Sequence, residues 1–269
     1  MKRFVCVGLI VSLIFISAIV NAEINIQHGG IPGGLLTYIF PIKYKNIGGT
    51  CFVIDVDNRQ YIITARHICH NIKDGDTIQL YINQEWYDVA IKPLFPKSDT
   101  VDIVALAANR LIMPKMEFDI GVENLMLGQD VYFLGFPFLD FKLGSKFNGS
   151  VTTLFPFVKK GICSALPGEG IIYLDGHNNP GFSGGPVIFS NYFKNHLQIA
   201  GVVSGYKNND NPVMIKEIED RSQSQVREKQ QKKKIVPYVA ENTGIIVTYS
   251  IGYIMEAIRA NPIGFPLSK

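Results

Sequence analysis

The chain has 269 residues, 47% of them hydrophobic, with 26 basic against 23 acidic side chains and a formal net charge of +3. That size and apolar content suit one domain of two packed lobes, or two small domains sharing an interface. So small a charge gives no electrostatic footprint for nucleic acid, which is excluded as a partner.

Lys2 and Arg3 open the chain, residues 4–20 form an apolar run, and Val20-Asn21-Ala22 closes it with small residues. This pattern predicts a secretory signal peptide over residues 1–22, cleaved after Ala22. The alternative is an uncleaved membrane anchor, because the run approaches spanning length. Cleavage is preferred. It leaves a secreted or periplasmic protein with no membrane span, and losing Lys2 and Arg3 lowers the formal charge from +3 to +1. Cys6 leaves with the leader, so Cys51, Cys69 and Cys163 remain, an odd number. An oxidising compartment allows a Cys51–Cys69 bridge. Cys163 lies in an apolar strand and reads as an inert buried thiol.

Residues 23–34 are polar and Gly-rich and read as an arm or loop. From residue 35 the pattern turns to β. Apolar and aromatic runs at 35–44, 51–56, 61–64, 77–82, 85–91 and 101–107 are broken by Gly, Asn and Asp, with Asp57-Asn58-Arg59-Gln60 as a hairpin loop. A short helical turn follows at 67–71, and 110–123 is a crossing segment. Strands resume at 130–136, 149–156, 160–166, 170–175, 185–189, 198–204 and 244–249. Many short strands with few helical patterns predict an all-β barrel architecture. Residues 207–234 are rich in Lys, Glu, Gln, Asn and Ser and read as a solvated polar loop. A helix is predicted over 250–261. Ile251, Ile254, Met255 and Ile258 share one face, Ser250 is the expected N-cap, and Asn261-Pro262 ends it.

The chemistry points to Asn179-Pro180-Gly181-Phe182-Ser183-Gly184-Gly185-Pro186. Glycines let such a turn adopt conformations other residues resist, and they let a substrate approach the main chain. A serine on it exposes its hydroxyl, and neighbouring N–H groups can converge on one small space. A Gly-rich hairpin with an incidental serine is the bland reading. Upstream, however, Tyr61-Ile62-Ile63-Thr64-Ala65-Arg66-His67 is an apolar strand ending in a histidine. Thr100-Val101-Asp102-Ile103-Val104-Ala105-Leu106 sets an aspartate inside another strand. Asp99 is a rival carboxylate, but no such strand follows it directly.

With His67, Asp102 and Ser183 in that order, the chain resembles the chymotrypsin-like (trypsin-fold) serine peptidases. It is most similar to the Deg/HtrA-type branch without a PDZ domain. The resemblance runs from about residue 48 to 262. It implies two six-stranded antiparallel β-barrels, the first over about 35–112 and the second over about 124–250, closed by the C-terminal helix. It implies His67 as general base, Asp102 as its orienting acid and Ser183 as nucleophile of a peptide-cleaving enzyme. The oxyanion hole would be the N–H groups of Gly181 and Ser183. Polypeptide is the implied substrate, with no cofactor and no metal.

Relatives that mature by cleavage carry an aspartate before the nucleophile, which pairs with a new amino terminus; Phe182 cannot do this. The stretch holding Val203, Ser204 and Gly205 resembles the strand that pairs with the substrate backbone, and Ser204 resembles the serine that contacts the catalytic carboxylate. His177 falls where relatives place the floor of the specificity pocket. A surface loop position is the preferred reading for it. Relatives also carry a disulfide beside the histidine, but Ile68 separates His67 from Cys69, so the Cys51–Cys69 bridge stays open. Two alternatives to a standing protease remain: a peptidase-like domain that binds extended polypeptide without cutting, and a protease held closed until a partner opens it. The sequence does not specify the oligomeric state.

Overall fold

A computed structural model describes residues 30–115, 118–139, 146–147, 151–152, 154–168, 170–212 and 238–267. The predicted leader and residues 213–234 of the predicted polar loop lie outside the described residues.

After one helical turn, α1 (Gly33–Leu36), six strands form the first barrel: β1 (Ile39–Tyr44), β2 (Ile47–Val56), β3 (Arg59–Thr64), β4 (Thr77–Ile82), β5 (Glu85–Leu94) and β6 (Val104–Ala108). They lie in the order β3-β2-β1-β4-β5-β6, all antiparallel, and β6 returns to pair with β3 at Ile62↔Leu106 and close the cylinder. The Asp57-Asn58 turn between β2 and β3 has two positive φ angles, 49° and 58°, as a tight hairpin requires.

β7 (Asp119–Ile120) crosses over. The second barrel uses β8 (Asp130–Gly135), β11 (Phe157–Gly168), β12 (Ile171–Asp175), β13 (Pro186–Asn191), β14 (His196–Pro212) and β15 (Tyr238–Ser250), in the order β13-β8-β11-β12-β15-β14 and closed by β13–β14. β9 (Lys146–Phe147) and β10 (Val151–Thr152) pair with each other as a separate two-stranded ladder. β10 occupies only part of the expected 149–156 strand. α2 (Gly252–Ala260) follows β15, and β16 (Phe265–Pro266) adds to the outer edge of β3. The fold is the two six-stranded antiparallel barrels with a short C-terminal helix that the sequence led us to expect.

The strands read as continuous apolar runs because they are buried on both faces. In β3, Ile62 fills the first barrel, while Tyr61 and Ile63 face a core shared between the barrels. In β13, Val187 and Phe189 fill the second barrel, while Ile188 faces that same shared core. The period-2 alternation of a strand therefore separates barrel interior from barrel interface rather than core from solvent. α2 packs Ile254, Met255 and Ile258 into the shared core. Its first residue is Gly252 and its cap Ile251, because Ser250 still belongs to β15. The Ser250 hydroxyl nevertheless accepts a hydrogen bond from Gly252 N at 3.2 Å, so the cap was read one residue early.

Cys51, Cys69 and Cys163 are free and buried. The open bridge between Cys51 and Cys69 is not made. Disulfide geometry is strict, and the intervening Ile68 is itself fully buried against Gly49.

Candidate active site

β3 ends at Thr64, and the chain enters a 3-10 turn, Arg66–Cys69, that carries His67 to the surface; its side chain is 47% exposed. Asp102 was expected inside a strand. It lies instead just before β6, in a segment outside the ladder. Its carbonyl accepts the N–H of Arg66, and its carboxylate grips the histidine at two points. Asp102 Oδ1 accepts the main-chain N–H of His67 at 2.8 Å, and Oδ2 lies 2.7 Å from His67 Nδ1. A ladder position would have spent this backbone on strand pairing. Asp99, the rival, is exposed and bonded to the Arg66 guanidinium at 3.1 Å.

Asp102 is largely enclosed. Burial pushes its carboxyl up. The hydrogen bond from the His67 ring, the imidazole's charge, the Ser204 hydroxyl and the His67 main-chain N–H together outweigh that and hold it below the usual carboxylate value. Ser204 Oγ donates to Asp102 Oδ2 at 2.5 Å, and the Ser204 carbonyl accepts from Ser183 Oγ at 2.9 Å. Ser204 thus joins the serine to the carboxylate.

Ser183 stands on a turn whose shape the glycines make available. Phe182 N donates to Asn179 O at 3.3 Å with Pro180 and Gly181 at the corner, and Gly181 has φ +102°, the pattern of a type II turn. A Cβ on Gly181 would collide with the carbonyl oxygen of Phe136. The turn is held on both sides. Gly184 N donates to Val203 O, Val203 N to Gly185 O, Thr50 N to Ser183 O and Phe138 N to Pro180 O, at 2.7–2.9 Å. Thr50 Oγ1 donates to Gly181 O at 2.7 Å and accepts from Phe136 N at 3.0 Å. Among the described residues, the N–H groups of Gly181 and Ser183 have no acceptor. They are the two main-chain donors this turn leaves open.

Of the strand residues expected to meet substrate, Val203 is buried in the second barrel and spends both peptide groups on the Ser183 turn. The open edge of β14 therefore starts one residue later. β14 pairs with β13 up to Val202. From Ser204 onward β15 is its one partner strand among the described residues, and the face above Gly205 is open space. His177 is exposed in the loop between β12 and β13, where a surface residue was preferred. Thr50 and Lys159, which also touch this turn, were not singled out in the sequence. Thr50 ends an unremarkable Ile47-Gly48-Gly49-Thr50, and Lys159 stands in a Lys159-Lys160 pair that looks like solvated surface.

Residues 49–192, more than half of the chain, match the family model described as "Trypsin-like peptidase domain". The chain belongs to the trypsin-like peptidase family and is a serine-type endopeptidase. No curated protein matches it in sequence. Solved structures similar to it include the inactive form of the Rv3671c protease, at 16% identity and TM-score 0.49, covering 84% of this chain and 90% of that one. A serine-to-alanine mutant of Rv3671c from M. tuberculosis H37Rv, also inactive, has the same identity and score and covers 93% and 96%. The serine endoprotease from Yersinia pestis is 18% identical with TM-score 0.45, covering 64% of this chain and 55% of that one.

Proposed function

We propose that His67, Asp102 and Ser183 form the catalytic triad of an exported serine endopeptidase that works through an acyl-enzyme. The observation that carries this reading is the two-point grip of Asp102 on His67. It fixes the imidazole with Nδ1 toward the carboxylate, which leaves Nε2 as the basic nitrogen. The extended substrate adds as a strand along β14 from Ser204, where main-chain hydrogen bonds bind polypeptide with little sequence preference. Its N–H groups compete for the Ser204 carbonyl on which Ser183 Oγ rests. Released, the hydroxyl gives its proton to His67 Nε2 as Oγ attacks the scissile carbonyl. The oxyanion is met by the open N–H groups of Gly181 and Ser183. His67 returns the proton to the leaving amine, and water hydrolyses the ester by the same path in reverse.

The Ser183–Ser204 bond also supports a resting enzyme that an arriving strand opens. The buried Phe182 ring fits a branch of the Deg/HtrA type, which does not use an amino-terminal ion pair. Export after cleavage at Ala22 is part of the proposal, and the amino terminus of the mature protein tests it.

The first experiment treats the mature protein with a fluorophosphonate and reads intact mass, beside Ser183→Ala and His67→Ala. One adduct on the wild type, absent from Ser183→Ala and slowed about a thousandfold or more in His67→Ala, is expected. An adduct that persists in Ser183→Ala would overturn the assignment.

A further inference from the structure

Along β11, positions 159, 161 and 163 fall on the inward face, while Lys160 turns out to bond Asp130 at 2.8 Å. Lys159 is therefore a half-buried cation on the inward side of β11. Cys163 on that face is fully buried, as are Phe133 and Phe182 in the same cluster. Among the described residues Lys159 has no carboxylate partner. Its ammonium goes to the nucleophile turn instead. It donates to the His177 carbonyl at 2.7 Å and to Asn179 Oδ1, and it lies 5.1 Å from the centroid of the Phe182 ring.

These three contacts fall on three successive parts of one segment. His177 lies two residues past β12, the carbonyl of Asn179 closes the turn through Phe182 N, and Phe182 directly precedes the nucleophile. The Phe182 ring is itself fixed edge-on to Phe133, with centroids 5.6 Å apart. An ammonium donates but cannot accept, so two oxygen acceptors and a π face satisfy it where a carboxylate is missing. Burial draws its pKa below the ordinary lysine value, and each of these contacts favours the charged form.

We propose that Lys159 is a positioning residue, a half-buried cation that clamps residues 177–182 in the shape that leaves the Gly181 and Ser183 N–H groups aimed at the reacting oxygen. The inference rests on the reading of Ser183 as nucleophile. It gives the turn a fixed charge from within the chain, held by β11. The oxyanion donors are then in place before substrate arrives, which is the condition under which such donors accelerate a reaction.

The test compares Lys159→Met, which keeps the stem and removes the charge, with Lys159→Arg, which keeps charge and donors. Fluorophosphonate labelling rate, kcat and KM on a peptide ester, and melting temperature are read for each. Lys159→Met should lose about tenfold or more in labelling rate and in kcat, a fraction of the effect of one oxyanion donor, with KM and melting temperature close to wild type. Lys159→Arg should recover most of that loss. If Lys159→Met does not fold, Asn179→Ala removes one acceptor from the half-buried loop and is read in the same way. Labelling at the wild-type rate overturns the clamp, as does a loss carried by KM or by melting that arginine does not restore. If wild-type Ser183 itself takes no adduct, the triad reading falls and the clamp with it. If wild type labels and the methionine variant labels equally fast, only the clamp falls.

Discussion

Asp102 shows how much of this site depends on single hydrogen bonds. Its carboxyl titrates below the usual aspartate value of about 3.9 because donors outweigh burial. The folded value is the depressed one, so its stabilisation is complete above the unfolded value and disappears as pH falls through the folded value. Ser204→Ala removes one of the donors and raises the folded value. Ser204→Ala should therefore lose stability near neutrality in urea unfolding followed by circular dichroism, and its difference from wild type should shrink as pH falls through the folded value. The thiols show the opposite case. Burial pushes Cys69 up to about 12 and Cys51 well above the ordinary thiol value. Thiolate is the reactive form, so neither should be alkylated by iodoacetamide in the native protein at pH 8, whereas both should react after denaturation. Rapid native modification at either site would contradict their burial.

Among elements, the 179–185 turn is specified most tightly. Gly181 needs φ +102°, and its missing side chain makes room for the Phe136 carbonyl. Gly184 needs φ +85° against Thr50 O and Thr64 Oγ1. Gly181→Ala should therefore cost about 1–3 kcal/mol in urea unfolding. It should abolish most fluorophosphonate labelling, because relieving the collision moves an open N–H. Retention of both stability and labelling would mean the turn tolerates a different path. α2 is specified more loosely. Nine residues are too few to hold a helix in water, so it exists because Ile254 and Ile258 are buried in the shared core. Its apolar spacing was visible in the sequence, but its first residue was not, because β15 runs one residue further than the pattern suggests.

At the scale of the molecule, the site is built across the two barrels. His67 and Asp102 come from the first and Ser183 and Ser204 from the second, and Thr50 joins them. From β2 its main-chain N–H binds Ser183 O, and its hydroxyl binds Gly181 O and Phe136 N. Thr50 is wholly buried, so Thr50→Val, nearly identical in shape, leaves a carbonyl and an N–H without their partner. A loss of about 1–3 kcal/mol is expected, together with slower Ser183 labelling in protein that is still folded. Unchanged labelling would show that barrel packing alone aligns the two halves.

His67, Asp102 and Ser183 could be read as candidates for the proposed triad because that chemistry demands particular side chains in strongly patterned surroundings: an apolar strand before the histidine, another after the aspartate, glycines around the serine. The all-β class was legible from run length and turn residues alone. What the tertiary structure decided were the contacts made through the main chain and through residues with no signature of their own. Asp102 lies outside its expected strand because its backbone serves Arg66 and its carboxylate serves His67. Val203 commits both of its peptide groups to Gly184 and Gly185 in the turn that carries Ser183. Thr50 and Lys159 looked ordinary because a threonine's or lysine's role is set by what stands opposite it. Those partners lie 131 residues away for the Thr50 hydroxyl at Gly181 and 18–20 residues away for the Lys159 ammonium. Local pattern carries propensity and chemistry, while pairing between distant segments exists only once both barrels have closed.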